Sequence, residues 1–184
     1  MREDVAADWA RANGHQSEIE AILRQPDLLG RVVSRVSVET ANEHEDLHHA
    51  TDYVFQASGG GTVAARIRFD ITQRDWTIRS ARASGIETEL AKLRAGWADW
   101  YLYGWVEGGK IVEWMFLDLR LVREKGILQM DWQEITNRDG QSSFIPIPRH
   151  RLRDLGVIAV ERCVPTSGEQ RAAVRGRQLA LWYI

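Results

Sequence analysis

The sequence predicts an α+β (mixed) domain with a central, mainly antiparallel sheet flanked by helices. Three observations predict it. Strand-like runs are joined by short glycine turns, as at Ser58-Gly59-Gly60-Gly61 and Glu107-Gly108-Gly109-Lys110. Helix-period runs carry their own start and stop signals, such as Ser17-Glu18-Ile19-Glu20 before an apolar turn and Gly96 after one. The 184 residues are 44% hydrophobic and 27% charged, enough to bury a core as a single domain over residues 1–184.

Val5, Ala6, Trp9 and Ala10 fall at helical spacing, so a helix is expected from Arg2 to about Ala12, ended by Asn13-Gly14. Ser17 to Glu20 reads as a capping box with Ser17 at the N-cap, opening a second helix that Pro26 stops. Residues 1–30 thus form a helical N-terminal segment. Val32 to Thr40 alternates and suits a strand, although a helix fits the same residues. After the polar stretch Asn42 to His49, Thr51-Asp52-Tyr53-Val54-Phe55 pairs as a hairpin with Thr62 to Phe69 across the glycines. Asp75 to Arg79 reads as the next strand and Ser84-Gly85 as a turn. Glu87 to Ala95 fits a short helix closed by Gly96.

Trp100 to Val106 and Ile111 to Leu117 are strands on either side of the Gly108-Gly109 turn. Leu119 to Glu124 is a helix ended by Gly126, and residues 126–184 form a C-terminal extension. Within it, Asp131 to Thr136 and Ser143 to Ile147 make a second hairpin around Asn137-Arg138-Asp139-Gly140. Pro148 begins a helix over His150 to Leu155, and Val174 to Ile184 carries no clear signal. Trp97, Trp100 and Trp114 sit in or beside the densest apolar strands and are expected to be buried. At least one of Trp9, Trp132 and Trp182 is expected to be exposed.

Net charge is −2, so no strong overall field attracts nucleic acid. Its distribution is polar: residues 1–60 hold 5 basic and 11 acidic groups, residues 61–118 hold 8 and 8, and residues 119–184 hold 11 and 7. Of the 24 basic residues, all but Lys92, Lys110 and Lys125 are arginine, which grips phosphate through a planar fork. GC-rich codon usage accounts for that bias equally well. No apolar run is long enough to span a bilayer and no N-terminal apolar signal is present, so a cytoplasmic protein with no membrane partner is expected. The single cysteine, Cys163, excludes an intrachain disulfide and a multi-cysteine zinc site, and reads as a buried thiol.

Other motifs fall short. In His44-Glu45-Asp46-Leu47-His48 the two histidines would share a helical face near Asp52, with Glu45 directly after the first as in the zinc-helix pattern, but no clear third ligand accompanies them, and a solvated loop is the simpler reading. The Ser58 to Gly61 turn lacks the lysine of a phosphate loop, and no Gly-x-Ser-x-Gly elbow occurs.

What stands out is Thr62 to Ser80. Arg66, Arg68 and Arg79 are the polar positions of strand-like runs, and Glu87, Glu89 and Lys92 follow at a helix start. Carboxylates that hold Mg²⁺, with a cation beside the scissile phosphate, are what metal-dependent phosphodiester cleavage requires. The same charges can instead pair with one another, with Asp75 and Asp99 included, in a network that only fixes geometry.

The order helix with an acid, hairpin with an Asp on its first strand, then charged second strand resembles the PD-(D/E)XK nuclease superfamily. By that resemblance the fold is restriction-endonuclease-like and Asp52 takes the Asp position, with Glu18 or Glu20 as the acid of the preceding helix. Where Glu-x-Lys is expected the chain has Arg66-Ile67-Arg68, so Arg68 replaces the lysine and the missing acid moves to Glu87 or Glu89, with Lys92 as a migrated lysine. The segments Asp75-Trp76-Thr77-Ile78-Arg79, Glu87-Thr88-Glu89 and Asp99 to Gly104 also resemble uncharacterised phage-associated nuclease-like proteins.

The resemblance implies a Mg²⁺-dependent nuclease acting on DNA in a phage or mobile-element setting. Asp52, Glu87 and Glu89 would be its metal ligands, Lys92 or Arg68 its phosphate or water contact, and Arg66, Arg79 and Arg82 its nucleic-acid contacts. The alternative is a noncatalytic binding protein of phage or host-defence type, with a tryptophan-rich surface for a protein or nucleic acid.

Overall fold

In the computed structural model, which describes residues 14–26, 28, 38–40, 53–55, 61–69, 73–85 and 87–162, the strands sort into two sheets. The larger contains β1 (Val38–Thr40), β2 (Tyr53–Phe55), β3 (Gly61–Phe69), β5 (Trp100–Glu107), β6 (Lys110–Asp118) and β9 (Ile158–Arg162), in the order β1-β2-β3-β5-β6-β9. The smaller contains β4 (Trp76–Arg82), β7 (Ile135–Thr136) and β8 (Ser142–Ile147), in the order β4-β8-β7. Among the described residues four α-helices accompany them: α1 (Gln16–Leu23), α2 (Glu89–Ala95), α3 (Leu119–Glu124) and α4 (Arg149–Asp154). The class is mixed α+β and the pairing mostly antiparallel, as expected; among the described strands only β3 and β5 run parallel.

Strand alternation divides the core in two. Val63, Leu102, Trp114 and Phe116 point to one face of the larger sheet, where Ile19, Ile22 and Leu23 of α1 cover them. Tyr101, Tyr103, Trp105, Met115 and Leu117 point to the other. There they meet Trp76 and Ile78 of β4, Ile145 and Ile147 of β8, and the apolar sides of α2, α3 and α4. Because β5 and β6 are covered on both faces, they read as nearly continuous apolar runs. Gly108 and Gly109 both take positive φ (56° and 75°) in the β5–β6 turn, which is why glycine occupies both positions.

The hairpins, α2 with its Gly96 end, and α3 before Gly126 stand where the sequence places them. Three readings change. Ser17 is not the N-cap of α1; His15 is, and Glu20 instead accepts from Gln16 one turn back, at 3.2 Å. Arg79 belongs to a different sheet from Arg66 and Arg68, because β4 pairs with β8 rather than with β3. Trp97 is half-buried, whereas Trp100 and Trp114 are buried and Trp132 is intermediate. The expected Arg2–Ala12 helix, residues 32–37, the Asn42–His49 stretch with His44 and His48, Asp52, Trp9, Trp182, Cys163 and the tail Val174–Ile184 lie outside the described residues.

α2 is the element that carries Glu89, and its start is fixed by Thr88, whose Oγ1 accepts from the Ala91 N–H at 3.3 Å. Thr88→Ala is expected to lower stability by about 1 kcal/mol, the usual loss of such a cap. Urea denaturation checks this: an unchanged midpoint would mean that packing alone places the helix.

Candidate functional site

The register of β3 on β5 sets Ala64, Arg66 and Arg68 beside Tyr101, Tyr103 and Trp105, so both guanidiniums rise from the tyrosine face of the larger sheet. Val63, Ala65 and Ile67 face the α1 side. β4 crosses above the tyrosine face and brings Arg79 and Arg82, and α2 adds Glu89.

Glu89 is shared among three donors. Its Oε2 accepts from the Arg66 guanidinium and from the Arg79 backbone N–H at 3.0 Å, and its Oε1 accepts from the Tyr101 hydroxyl. Arg66 also reaches the Thr77 carbonyl at 3.4 Å. The Tyr103 hydroxyl meets Thr77 Oγ1 at 2.5 Å and accepts from the Thr77 N–H at 3.3 Å. Thr77 and Arg79 are alternate residues of β4, an outer strand of its sheet, so Tyr103, Arg66 and Glu89 satisfy backbone groups that have no strand neighbour.

The ion pair is mostly out of water, with Arg66 24% and Glu89 16% exposed, so its attraction is weakly screened. Burial acts to lower the pKa of Arg66, but the negative Glu89 opposes it and holds the guanidinium firmly charged. Burial first, and then the negative Glu89, push the Tyr101 hydroxyl well above its ordinary range, which keeps it a neutral donor. Arg79 is shifted the other way. Burial lowers its pKa first, and the charges of Arg66, Arg82 and Arg68 add to that, with Glu89 offsetting only part.

That crowding marks the part of the site that is not internally balanced. Among the described residues no carboxylate pairs with Arg68, Arg79 or Arg82, and Arg82 Nε is buried with no hydrogen-bond partner. The neighbouring turn is small and open: Ala83, Ser84 and Gly85 are exposed, and a Cβ at Gly85 would meet nothing within 4 Å.

A Mg²⁺ ion needs carboxylate oxygens available to it. Both oxygens of Glu89 are taken by protein donors. Glu87 is exposed and precedes the helix, outside this network, and Lys92 sits over the Trp97 ring, 5.4 Å from its centroid. Asp99 does not join the arginines either; its Oδ2 accepts from the Thr62 N–H at 3.0 Å. Glu18 and Glu20 belong to α1, on the opposite face of the sheet from Arg66. Glu18 accepts from the Ile111 N–H at 2.8 Å, and Glu20 lies 3.6 Å from Arg24. No three His, Cys, Asp or Glu gather as a metal-binding group among the described residues. Among the described residues Glu89 thus stands in an arginine and tyrosine network, and Asp52, its expected companion at a metal, lies outside them.

Sequence reasoning missed a second charged cluster farther along the same face, around Trp105, beside which β3 sets Arg68. Glu113 on β6 accepts from Arg149 at 2.9 Å and from Arg74 at 3.2 Å, and both guanidiniums lie over Trp105. Glu161 accepts from Arg149 at 2.7 Å and from Arg153 at 2.5 Å, while Glu107 pairs with Arg74. Arg74, Arg149 and Arg153 face Glu107, Glu113 and Glu161, so this cluster is balanced and reads as a structural tie. The signal available for it was Glu113 itself, a lone charge within the apolar run Ile111 to Leu117. No protein-family model matches the chain, and no curated protein is similar to it.

Proposed function

We propose that this domain binds nucleic acid, with DNA as the expected form, through Arg68, Arg79 and Arg82, and that Glu89 serves the fold rather than a cleavage step. The observation that carries this reading is the imbalance of the cluster. One arginine, Arg66, has its carboxylate, and three more crowd the same place without one. Buried and half-buried charges are normally paired, so unpaired ones of one sign favour an anion supplied from outside. Guanidinium forks suit phosphate oxygens, and the small open turn at Ala83 to Gly85 leaves room for a bulky backbone to approach.

With a net charge of −2 the chain offers little general attraction to DNA, so binding depends on this local cluster and falls steeply with salt. Fluorescence anisotropy with a short labelled duplex, repeated over a salt series, tests it. Each phosphate neutralised contributes a slope of about 0.9 in log affinity against log salt on duplex DNA. Removing one contacting arginine, as in Arg68→Ala, is expected to reduce the slope by about 1. Absence of binding at low salt, or a slope unchanged when Arg68, Arg79 and Arg82 are all replaced by alanine, would sink the reading.

A further inference from the structure

We infer that the nucleic acid this domain takes is single-stranded DNA, laid on the outer face of the smaller sheet with a base stacked on Phe144 and its backbone against Arg79 and Arg82. This rests on the nucleic-acid reading above and narrows it. Trp76 and Ile78 of β4 pair with Ile147 and Ile145 of β8, and all four are buried. Side chains alternate along a strand, and directly opposed residues share a face. Thr77 with Pro146, and Arg79 with Phe144, therefore stand on the face turned away from that core. β7 extends the row, setting Ile135, 39% exposed, on the other side of Phe144.

An irregularity in β4 brings a second arginine to this face. Arg79 and Arg82 are three residues apart, so in a regular strand they would point to opposite sides. The register shift between Arg79 and Ala81 leaves Arg82 opposite Ser142, two residues from Phe144 on β8, and so returns it to the outer face. Ser80, the extra residue, donates its hydroxyl to Glu134 at 2.9 Å, which holds the shift in place. Phe144 itself is half-buried and belongs to neither apolar core. Among the described residues no ring or guanidinium stacks on it, whereas Trp100, Tyr101, Tyr103 and Trp105 all pack against other rings. An aromatic ring standing on a sheet beside arginines suits an unpaired base with its phosphates: the ring stacks on the base and the guanidiniums take the backbone. In a duplex the bases already stack on one another and offer only their edges.

The test compares labelled oligothymidylate, its duplex with oligoadenylate, and oligouridylate, measured by anisotropy at fixed ionic strength. The DNA single strand is expected to bind about tenfold tighter than the duplex, the effect of one stacked base. Phe144→Ala should remove that preference and leave the salt slope unchanged, because stacking releases no counterions. Phe144→Tyr keeps a ring and should keep the preference. Phe144→Leu serves as a second variant should Phe144→Ala melt early; it fills the space without a π-face and should lose the preference too. Arg82→Ala should instead lower the slope, by about 0.7 for one phosphate of a single strand. Equal affinity for strand and duplex, or a Phe144→Leu variant that binds as the parent does, would overturn the inference while leaving nucleic-acid binding intact. No binding to any of the three would overturn both. Tighter binding of oligouridylate than of oligothymidylate would assign the face to RNA and overturn the inference as well.

Discussion

Glu89→Gln is expected to destabilise the fold by about 3–5 kcal/mol, the usual result of breaking one side of a shielded ion pair. The amide keeps one oxygen and turns the other into an NH₂ donor, so either the Tyr101 hydroxyl or the Arg66 and Arg79 N–H groups lose their acceptor. It also leaves the Arg66 guanidinium without its counter-charge in a place where water screens poorly. At about 2–4 °C per kcal/mol for a chain of this size, the melting temperature should fall by about 10 °C. Adding Arg66→Met should recover part of the loss, because the stranded charge is removed with its partner. A loss below about 1 kcal/mol would class the pair with ordinary surface salt bridges. It would also return Glu89 to the list of groups available for chemistry.

The second large effect is expected at Trp105, farther along the same face and beside Arg68. Trp105→Ala should cost about 3–5 kcal/mol, since the ring is 1% exposed and its removal leaves a cavity the sheet cannot close. The ring also packs edge-on to Tyr103 at 5.2 Å and lies between Arg74 and Arg149, so its loss loosens the charged tie as well. Trp105→Phe keeps an aromatic face and should cost clearly less. Equal losses for the two variants in chemical denaturation would mean that the guanidiniums, not the ring, hold this end together.

Local signals carried much of the fold. Glycine pairs and caps act over a few residues, so the Gly108-Gly109 turn, the Gly96 end of α2 and the Asn137 to Gly140 hairpin could be read directly. Pairing partners could not. Nothing in Trp76 to Arg82 says that it joins β8, 60 to 71 residues away in the chain, rather than the nearer β3. The same limit hid the tie between Glu113 and Arg149, which are 36 residues apart. At the candidate site the residue types were legible and the division of labour was not. Whether Glu89 holds a metal or an arginine depends on where its oxygens point, and that follows from the crossing of β4 over β5. The Ser17 capping box failed for a smaller reason: Glu20 had a competing partner one helical turn back, in Gln16.

The sealing of β4 bears on how copies of this chain behave toward one another. A bare outer strand offers its N–H and C=O groups to any passing segment of similar shape, and so seeds intermolecular sheet. Along Thr77 and Arg79 those groups are occupied by Tyr103, Arg66 and Glu89. The side chains beside the proposed DNA contacts thus also occupy the outer backbone groups of β4. Glu89→Gln is expected to loosen the cover over the Arg79 N–H, whereas Trp105→Ala leaves Glu89 in place. Light scattering at matched residual stability should therefore rise faster for the Glu89 variant, and parity between the two would show that β4 is guarded by something other than these side chains.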